Sequence, residues 1–135
     1  MREVFADTGY WVALANPRDD WHDRAIHVSR RVDRIVTTDE VLVELLNWFR
    51  EMGPVLRKAA VDRVRDILEH PNIVVVQQTH PSFLSGLDLY GNRLDKQYSL
   101  ADCVSMQTMK QRGLTEILTN DHHFEQERFT ILLKG

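Results

Sequence analysis

Four carboxylic acids stand at positions from which they could act together on one substrate, namely Asp7, Glu44, Asp102 and Asp121. Carboxylates held close together repel one another, so at neutral pH they either take up protons or are kept ionised by a nearby cation. The hard ions Mg²⁺ and Mn²⁺ prefer oxygen ligands, and a bound metal of this kind activates water for attack on a phosphodiester. These four residues therefore predict a Mg²⁺ or Mn²⁺ site with hydrolytic chemistry.

Each carboxylate also has a purely structural interpretation. Asp7 could cap a following helix, and Asp121 could begin a short turn. Ser99 and Asp102 resemble a capping box, although Glu or Gln is the usual residue at the second position. Glu44 could face solvent from the polar side of its helix. The functional interpretation is favoured because all four carboxylates would approach the same edge of one sheet.

The elements that must position these carboxylates alternate between short strand-like runs and longer segments of helical period. Strands are predicted at residues 3–6, 34–38, 73–76, 116–119 and 129–133, and helices at 10–15, 19–31, 40–50, 54–68, 79–89 and 99–112. This alternation predicts an α/β fold with a mainly parallel sheet of about five strands and helices on both faces. Ligands of such sheets bind beyond the carboxyl ends of the strands, where Asp7 and Asp121 are expected.

Length and composition limit the class of protein. Residues 1–135 are expected to form one domain that buries a single core. Cys103 is the only cysteine, which excludes an internal disulfide and favours a reducing, cytoplasmic compartment. No apolar run is long enough for a membrane span, so no membrane partner is expected. The net charge of -3 argues against a protein that simply coats nucleic acid, but it does not exclude a nuclease.

Four segments resemble, in order, the four acidic motifs of PIN domains, in particular those of VapC-type toxins from toxin–antitoxin pairs. They are Val4–Leu14, Thr37–Glu44, Asp95–Cys103 and Leu118–Phe124. The third, which reads D-K-x-x-S-L-x-D, is the most specific of them, and the resemblance covers nearly the whole chain. It implies a three-layer α/β/α sandwich and a Mg²⁺- or Mn²⁺-dependent endoribonuclease that hydrolyses RNA.

The resemblance also implies roles for individual residues and partners. Asp7 and Asp102 would be direct metal ligands, and Glu44 and Asp121 would complete the acidic pocket directly or through water. Thr8 and Thr119 would be polar supports of the pocket. A toxin of this family is often a homodimer and is neutralised by a cognate antitoxin protein. PIN domains also occur as RNA-processing nucleases outside toxin pairs, and that alternative stays open.

Other classes of protein fit the sequence less well. Asp7-Thr8-Gly9 is also the tripeptide of aspartic proteases, but those enzymes are almost entirely β and this chain is rich in helical segments. A receiver domain would need an aspartate after the third strand, where Gln77 stands, and a haloacid-dehalogenase-like phosphatase would need one at Gly9. A non-catalytic module that binds RNA or a protein through a degenerate pocket is the remaining alternative.

Histidines and tryptophans offer further candidate contacts. The spacing of His22 and His27 is poor for a zinc site on one helix face. His122 and His123 could contact phosphate, although an exposed loop is the favoured interpretation. Trp11, Trp21 and Trp48 could stack on bases, but their apolar neighbours favour a place in the core or in a dimer interface.

Overall fold

The structure, a computed structural model, describes residues 1–134. Five strands form one sheet, namely β1 (Glu3–Ala6), β2 (Arg34–Thr38), β3 (Ile73–Val76), β4 (Glu116–Leu118) and β5 (Thr130–Ile131). Every neighbouring pair is parallel, and the order across the sheet is β3-β2-β1-β4-β5. The predicted mainly parallel sheet of about five strands is confirmed. The order reverses between β1 and β4, which is where open sheets of this type bind ligands.

Helices cover both faces of this sheet and form the predicted three-layer α/β/α sandwich. They are α1 (Thr8–Ala15), α2 (His22–Ser29), α3 (Asp39–Trp48), α4 (Gly53–Glu69), α5 (His80–Gly91), α6 (Leu100–Arg112) and α7 (His123–Gln126). The α2 helix begins later than predicted because backbone hydrogen bonds fold residues 16–22 into turns. The α7 helix is not predicted from the sequence, because four residues are too few to show helical periodicity.

The core is built around β1, the central strand. Val4, Phe5 and Ala6 are fully buried, as expected for a parallel strand that is covered on both faces. The α5 and α6 helices pack closely, and a Cβ atom added at Gly86 would lie 2.5 Å from Cγ2 of Val104. Within residues 1–134, no helix combines the length and the apolar character that a membrane span requires.

The carboxyl ends of the central strands carry buried polar residues in place of apolar ones. Asp7, Thr37, Thr38 and Thr119 are all less than a tenth exposed. Thr37 Oγ1 donates a hydrogen bond of 2.9 Å to the carbonyl of Ala6, and Thr38 Oγ1 accepts one from the backbone N–H of Val41 at the start of α3. Buried polar groups need hydrogen-bond partners. These two bonds therefore fix the backbone at the carboxyl edge of the sheet.

Candidate active site

The carboxyl edge of the sheet opens into a cleft of about 630 Å³, and Asp7, Glu44, Asp102 and Asp121 all line it. Asp7 directly follows β1, and Asp121 lies in the loop after β4. Glu44 comes from the middle of α3, and Asp102 from the first turn of α6. The four carboxylates predicted from the sequence therefore line one cleft at the point where the strand order reverses, and together they are called the acidic cluster.

Asp7 is the most buried of these carboxylates, with 7% of its surface exposed. It occupies the N-cap position of α1, but its side chain makes no capping hydrogen bond. Its Oδ2 instead accepts a hydrogen bond of 3.2 Å from Thr119 Oγ1. Burial, with added repulsion from Asp102 and Glu44, raises the pKa of Asp7 to about 7. The capping interpretation of Asp7 is therefore wrong, and its side chain belongs to the acidic cluster.

Glu44 is half-buried and does not face open solvent. Its Oε1 accepts a hydrogen bond of 2.9 Å from Thr8 Oγ1. Burial raises the pKa of Glu44, the negative charge of Asp102 raises it further, and the bond from Thr8 opposes both effects. The solvent-face interpretation of Glu44 is therefore wrong, and α1 and α3 are joined at the cleft.

Asp102 has two roles in the structure. Its Oδ2 accepts a 3.0 Å hydrogen bond from the backbone N–H of Ser99, and Ser99 Oγ accepts one of 3.0 Å from the backbone N–H of Asp102. The capping box is thus present even though its second residue is Asp. Burial raises the pKa of Asp102, and the negative charge of Asp121 adds to that effect. The same carboxylate therefore caps α6 and belongs to the acidic cluster.

Asp121 is positioned by the turn that leads into α7. Its Oδ1 accepts a 2.9 Å hydrogen bond from the backbone N–H of His123, so the predicted turn exists. His123 Nδ1 lies 3.1 Å from the same oxygen without forming a hydrogen bond, and this nitrogen is buried and unpartnered within residues 1–134. Ligand atoms of Asp102, Asp121 and His123 all lie within 4.8 Å of one another.

His122 and His123 differ in their exposure and in their contacts. His122 is exposed and pairs with Glu125, which agrees with the favoured loop interpretation. His123 is only about a third exposed and packs edge-on against Tyr98, with ring centroids 5.7 Å apart. The exposed-loop interpretation is therefore wrong for His123, because α7 turns its side chain toward the acidic cluster.

Three further residues of the cleft were not assigned to it from the sequence. Of these, Trp48 was expected in the core or in a dimer interface, and the core interpretation is wrong because its side chain is 58% exposed. Asp19, from the turns before α2, adds a fifth carboxylate, and Trp48 and Arg50 come from the end of α3 and the residues just after it. Arg50 is the single basic side chain among the described residues that line the cleft. Nothing in the local sequence around Asp19 or Arg50 distinguishes them from ordinary surface residues.

The fold and the arrangement of carboxylates define a PIN domain, and the chain belongs to that family, whose model, described as PIN domain, matches residues 4–129. Among solved structures, the chain is similar to VapC20 of Mycobacterium tuberculosis, described as a toxin that cleaves the sarcin-ricin loop. The TM-score is 0.84 at 23% identity, over 94% of this chain and 96% of that one.

Two further solved structures share the fold at lower similarity. FitAcB from Neisseria gonorrhoeae matches with a TM-score of 0.64 at 15% identity, over 96% of each chain. FitAB bound to an IR36 DNA fragment matches with a TM-score of 0.67 at 15% identity, over 95% of this chain and 92% of that one. A search of curated protein sequences gave no match.

Proposed function

We propose that the chain is a single nuclease domain of residues 1–135 that hydrolyses RNA phosphodiester bonds with a divalent metal ion, and that it is the toxin of a toxin–antitoxin pair. The observation that carries this proposal is the convergence of Asp7, Glu44, Asp102 and Asp121 in one cleft at the reversal point of the sheet. Membership of the PIN domain family and the likeness to VapC20 support it.

The chemistry of the donor set fits a hard divalent cation. Carboxylate oxygens dominate the cluster, as Mg²⁺ and Mn²⁺ prefer. Asp7 and Asp102 would be direct ligands, with Glu44 and Asp121 completing the site directly or through water. Nδ1 of His123 lies beside Asp102 and Asp121 and has no hydrogen-bond partner within residues 1–134, so it is a further candidate ligand atom. A bound metal of this kind would supply an activated water and offset charge on the leaving oxygen.

The chain's own residues prepare the cleft for this chemistry. Thr119 Oγ1 donates a hydrogen bond to Asp7 and Thr8 Oγ1 donates one to Glu44, so both carboxylates are oriented before a metal would bind. The two hydrogen bonds of the capping box fix the position of the Asp102 carboxylate in the first turn of α6. Ligands held in this way lose little freedom when a metal binds, which favours tight and oriented coordination.

The toxin assignment rests on family membership and on structural likeness, and it has its own test. The chain would be expressed under tight control in a bacterial host, alone and beside the short neighbouring gene that would encode an antitoxin. Wild-type protein is expected to arrest growth and to create new RNA 5′ ends, and Asp102→Asn protein to do neither. RNA cleavage without growth arrest would favour an RNA-processing nuclease instead.

A homodimer and a cytoplasmic location stay predictions. The α5 helix supports the dimer, because Phe83, Leu84, Leu87 and Tyr90 leave between 37% and 46% of their surfaces exposed along it. An exposed apolar face of this kind marks an interaction surface. Sedimentation of the purified protein, with Leu87→Glu as the variant, would decide the oligomeric state, and a monomeric wild type would contradict the prediction.

A further inference from the structure

The end of α3 presents a large aromatic surface to the acidic cleft. Trp48 is 58% exposed and lines the cleft, whereas Trp11 is 3% exposed. Trp21 also lines the cleft, but it is partly buried and packs against the core. An indole ring contributes most to stability when it is buried. The exposed ring of Trp48 therefore contributes little to the stability of the fold. A ligand bound in the cleft would cover this ring.

The local structure explains why this surface faces the cleft. Phe49 packs against the hydrophobic core, and its neighbours on either side, Trp48 and Arg50, are left at the surface and line the cleft. Backbone hydrogen bonds from the N–H groups of Phe49, Arg50 and Met52 continue the turns beyond α3. The two side chains are therefore held on an ordered stretch of backbone.

Arg50 provides the charge that the cleft otherwise lacks. Its guanidinium donates a 3.0 Å hydrogen bond to the carbonyl of Asn47 and forms no ion pair within residues 1–134. The cleft contains five carboxylates, at Asp7, Asp19, Glu44, Asp102 and Asp121, against this one fixed cation. A polyanionic substrate approaching these carboxylates gains from a positive charge beside an aromatic surface.

We infer that Trp48 and Arg50 form a nucleotide-binding subsite, in which Trp48 stacks on an unpaired base next to the scissile phosphate and Arg50 contacts the backbone phosphate of that nucleotide. This inference rests on the proposed nuclease function and specifies its substrate class. A base can stack on a protein side chain only when it has left its own helical stack. The substrate is therefore an RNA cut in a loop or another single-stranded segment.

Binding tests the subsite without requiring cleavage. Asp7→Asn protein would be titrated in Mg²⁺ into a fluorescently labelled RNA hairpin with an open loop, and into the same stem closed as a full duplex. We expect the hairpin to bind more tightly than the duplex and to quench tryptophan fluorescence. Adding Trp48→Ala should weaken hairpin binding roughly 5- to 150-fold, and Trp48→Phe should restore most of the affinity.

The proposed role of Arg50 is tested against a matched control, Arg57. Arg50→Ala is expected to weaken binding and to lower the slope of log affinity against log salt by about one unit. Arg57→Ala, which removes an exposed arginine from α4 outside the cleft, should change neither quantity. Circular dichroism would check that each variant keeps its fold, which is expected because Trp48, Arg50 and Arg57 are exposed.

Several outcomes would overturn the subsite. They are absent hairpin binding, equal binding of hairpin and duplex, or hairpin affinity unchanged by Trp48→Ala. Loss of dimerisation in Trp48→Ala with unchanged RNA affinity would assign Trp48 to a protein interface instead. Failure of wild-type protein to cleave any RNA, with hairpin binding still dependent on Trp48, would contradict the proposed nuclease function and not the subsite.

Discussion

The hydroxyl of Thr119 donates a hydrogen bond of 3.2 Å to Oδ2 of Asp7 and thereby joins the ends of the two strands between which the sheet order reverses. Thr119 Oγ1 in turn accepts a 3.1 Å hydrogen bond from the backbone N–H of Asp121. Thr119 is fully buried, so neither bond is shared with bulk water. One side chain therefore sets the relative positions of two carboxylates that come from distant parts of the chain.

Replacing Thr119 by Val keeps the shape of the side chain and removes both bonds. We expect metal affinity and RNA cleavage to fall by about 10- to 100-fold, as for other residues that orient metal ligands. Calorimetric titration with Mn²⁺ and initial cleavage rates would measure the two effects. Thr119→Ser should restore both, and Thr108→Val, at a buried threonine bonded to the Val104 carbonyl in α6, should leave both unchanged. Equal metal affinity in wild type and Thr119→Val would refute this role.

The stability of the metal-free protein should depend on the ionisation of Asp7. Its pKa rises from 3.8 in its ordinary state to about 7 in the folded protein, through burial and then the repulsion of Asp102. A carboxyl group whose pKa is raised by folding stabilises the folded protein fully below its unfolded pKa. This stabilisation is lost as the pH rises through the folded pKa. In EDTA, the free energy of unfolding should therefore fall between about pH 4 and pH 7 through this group.

Asp7→Asn removes that contribution together with the repulsion between Asp7 and its neighbours Asp102 and Glu44. The variant should unfold with a smaller pH dependence than wild type, and the difference between them should reach about 1 to 4 kcal/mol across this range. Urea denaturation in EDTA at several pH values would measure it. Parallel pH profiles for the two proteins would show that Asp7 is ionised in the folded metal-free protein.

A bound cation should remove the repulsion within the acidic cluster. Mg²⁺ or Mn²⁺ at 100 times its dissociation constant is expected to raise the free energy of unfolding by about 2.7 kcal/mol. Asp102→Asn should largely abolish this increase, and NaCl of equal ionic strength should not reproduce it. Thermal denaturation with and without the ion would test the prediction, which fails if Asp102→Asn is stabilised as much as wild type.

A second buried carboxylate, outside the cleft, should support stability. Glu127 has a side chain only 6% exposed, and it accepts hydrogen bonds from Arg93 and from the Tyr98 hydroxyl. Burial opposes its ionisation, but the bonds from Arg93 and Tyr98, together with the positive charges of Arg93 and Lys110, hold the pKa of Glu127 below its ordinary value. These contacts join Arg93 and Tyr98, which precede α6, to Glu127, which directly follows α7.

Glu127→Gln weakens these charge-assisted bonds and should lower the free energy of unfolding by about 1 to 3 kcal/mol. The exposed pair of Lys58 and Asp62 on α4 provides a control, because Asp62→Asn should cost no more than about 0.5 kcal/mol. Urea denaturation of both variants would compare them. Equal effects at the two positions would show that Glu127 has no special role in the fold.

Much of the fold could be predicted because strands and helices here have clear periodicity. The β-branched run Ile73–Val76 forms β3, and a left-handed φ of 69° at Gly113 terminates α6. The short α7 helix could not be predicted. Apolar residues of α4 are not uniformly buried, because Leu56 and Leu68 are about half exposed while Ile67 is buried.

The acidic residues of the site could be predicted because strand ends meet at one edge of a parallel sheet. The resemblance named Thr8 and Thr119 as polar supports of the pocket, but the carboxylate that each one bonds could not be predicted, since the bonds from Thr119 to Asp7 and from Thr8 to Glu44 join residues 112 and 36 positions apart. The same applies to Asp19 and Arg50, which reach the cleft from turns, and to His123, which lies beside Asp121 at the start of the short α7 helix. Tertiary packing alone decides which surface residues of a turn face a cleft.

The most direct test of the metal-dependent ribonuclease is cleavage of a mixed cellular RNA pool that includes ribosomal RNA. Purified wild-type protein would be compared with Asp7→Asn protein prepared in the same way, each in Mg²⁺ and in EDTA. We predict cleavage at defined positions by wild type in Mg²⁺ alone, with at least about a 100-fold loss on replacing Asp7. Cleavage that persists in EDTA or in Asp7→Asn, or no cleavage by wild type in Mg²⁺, would contradict this account.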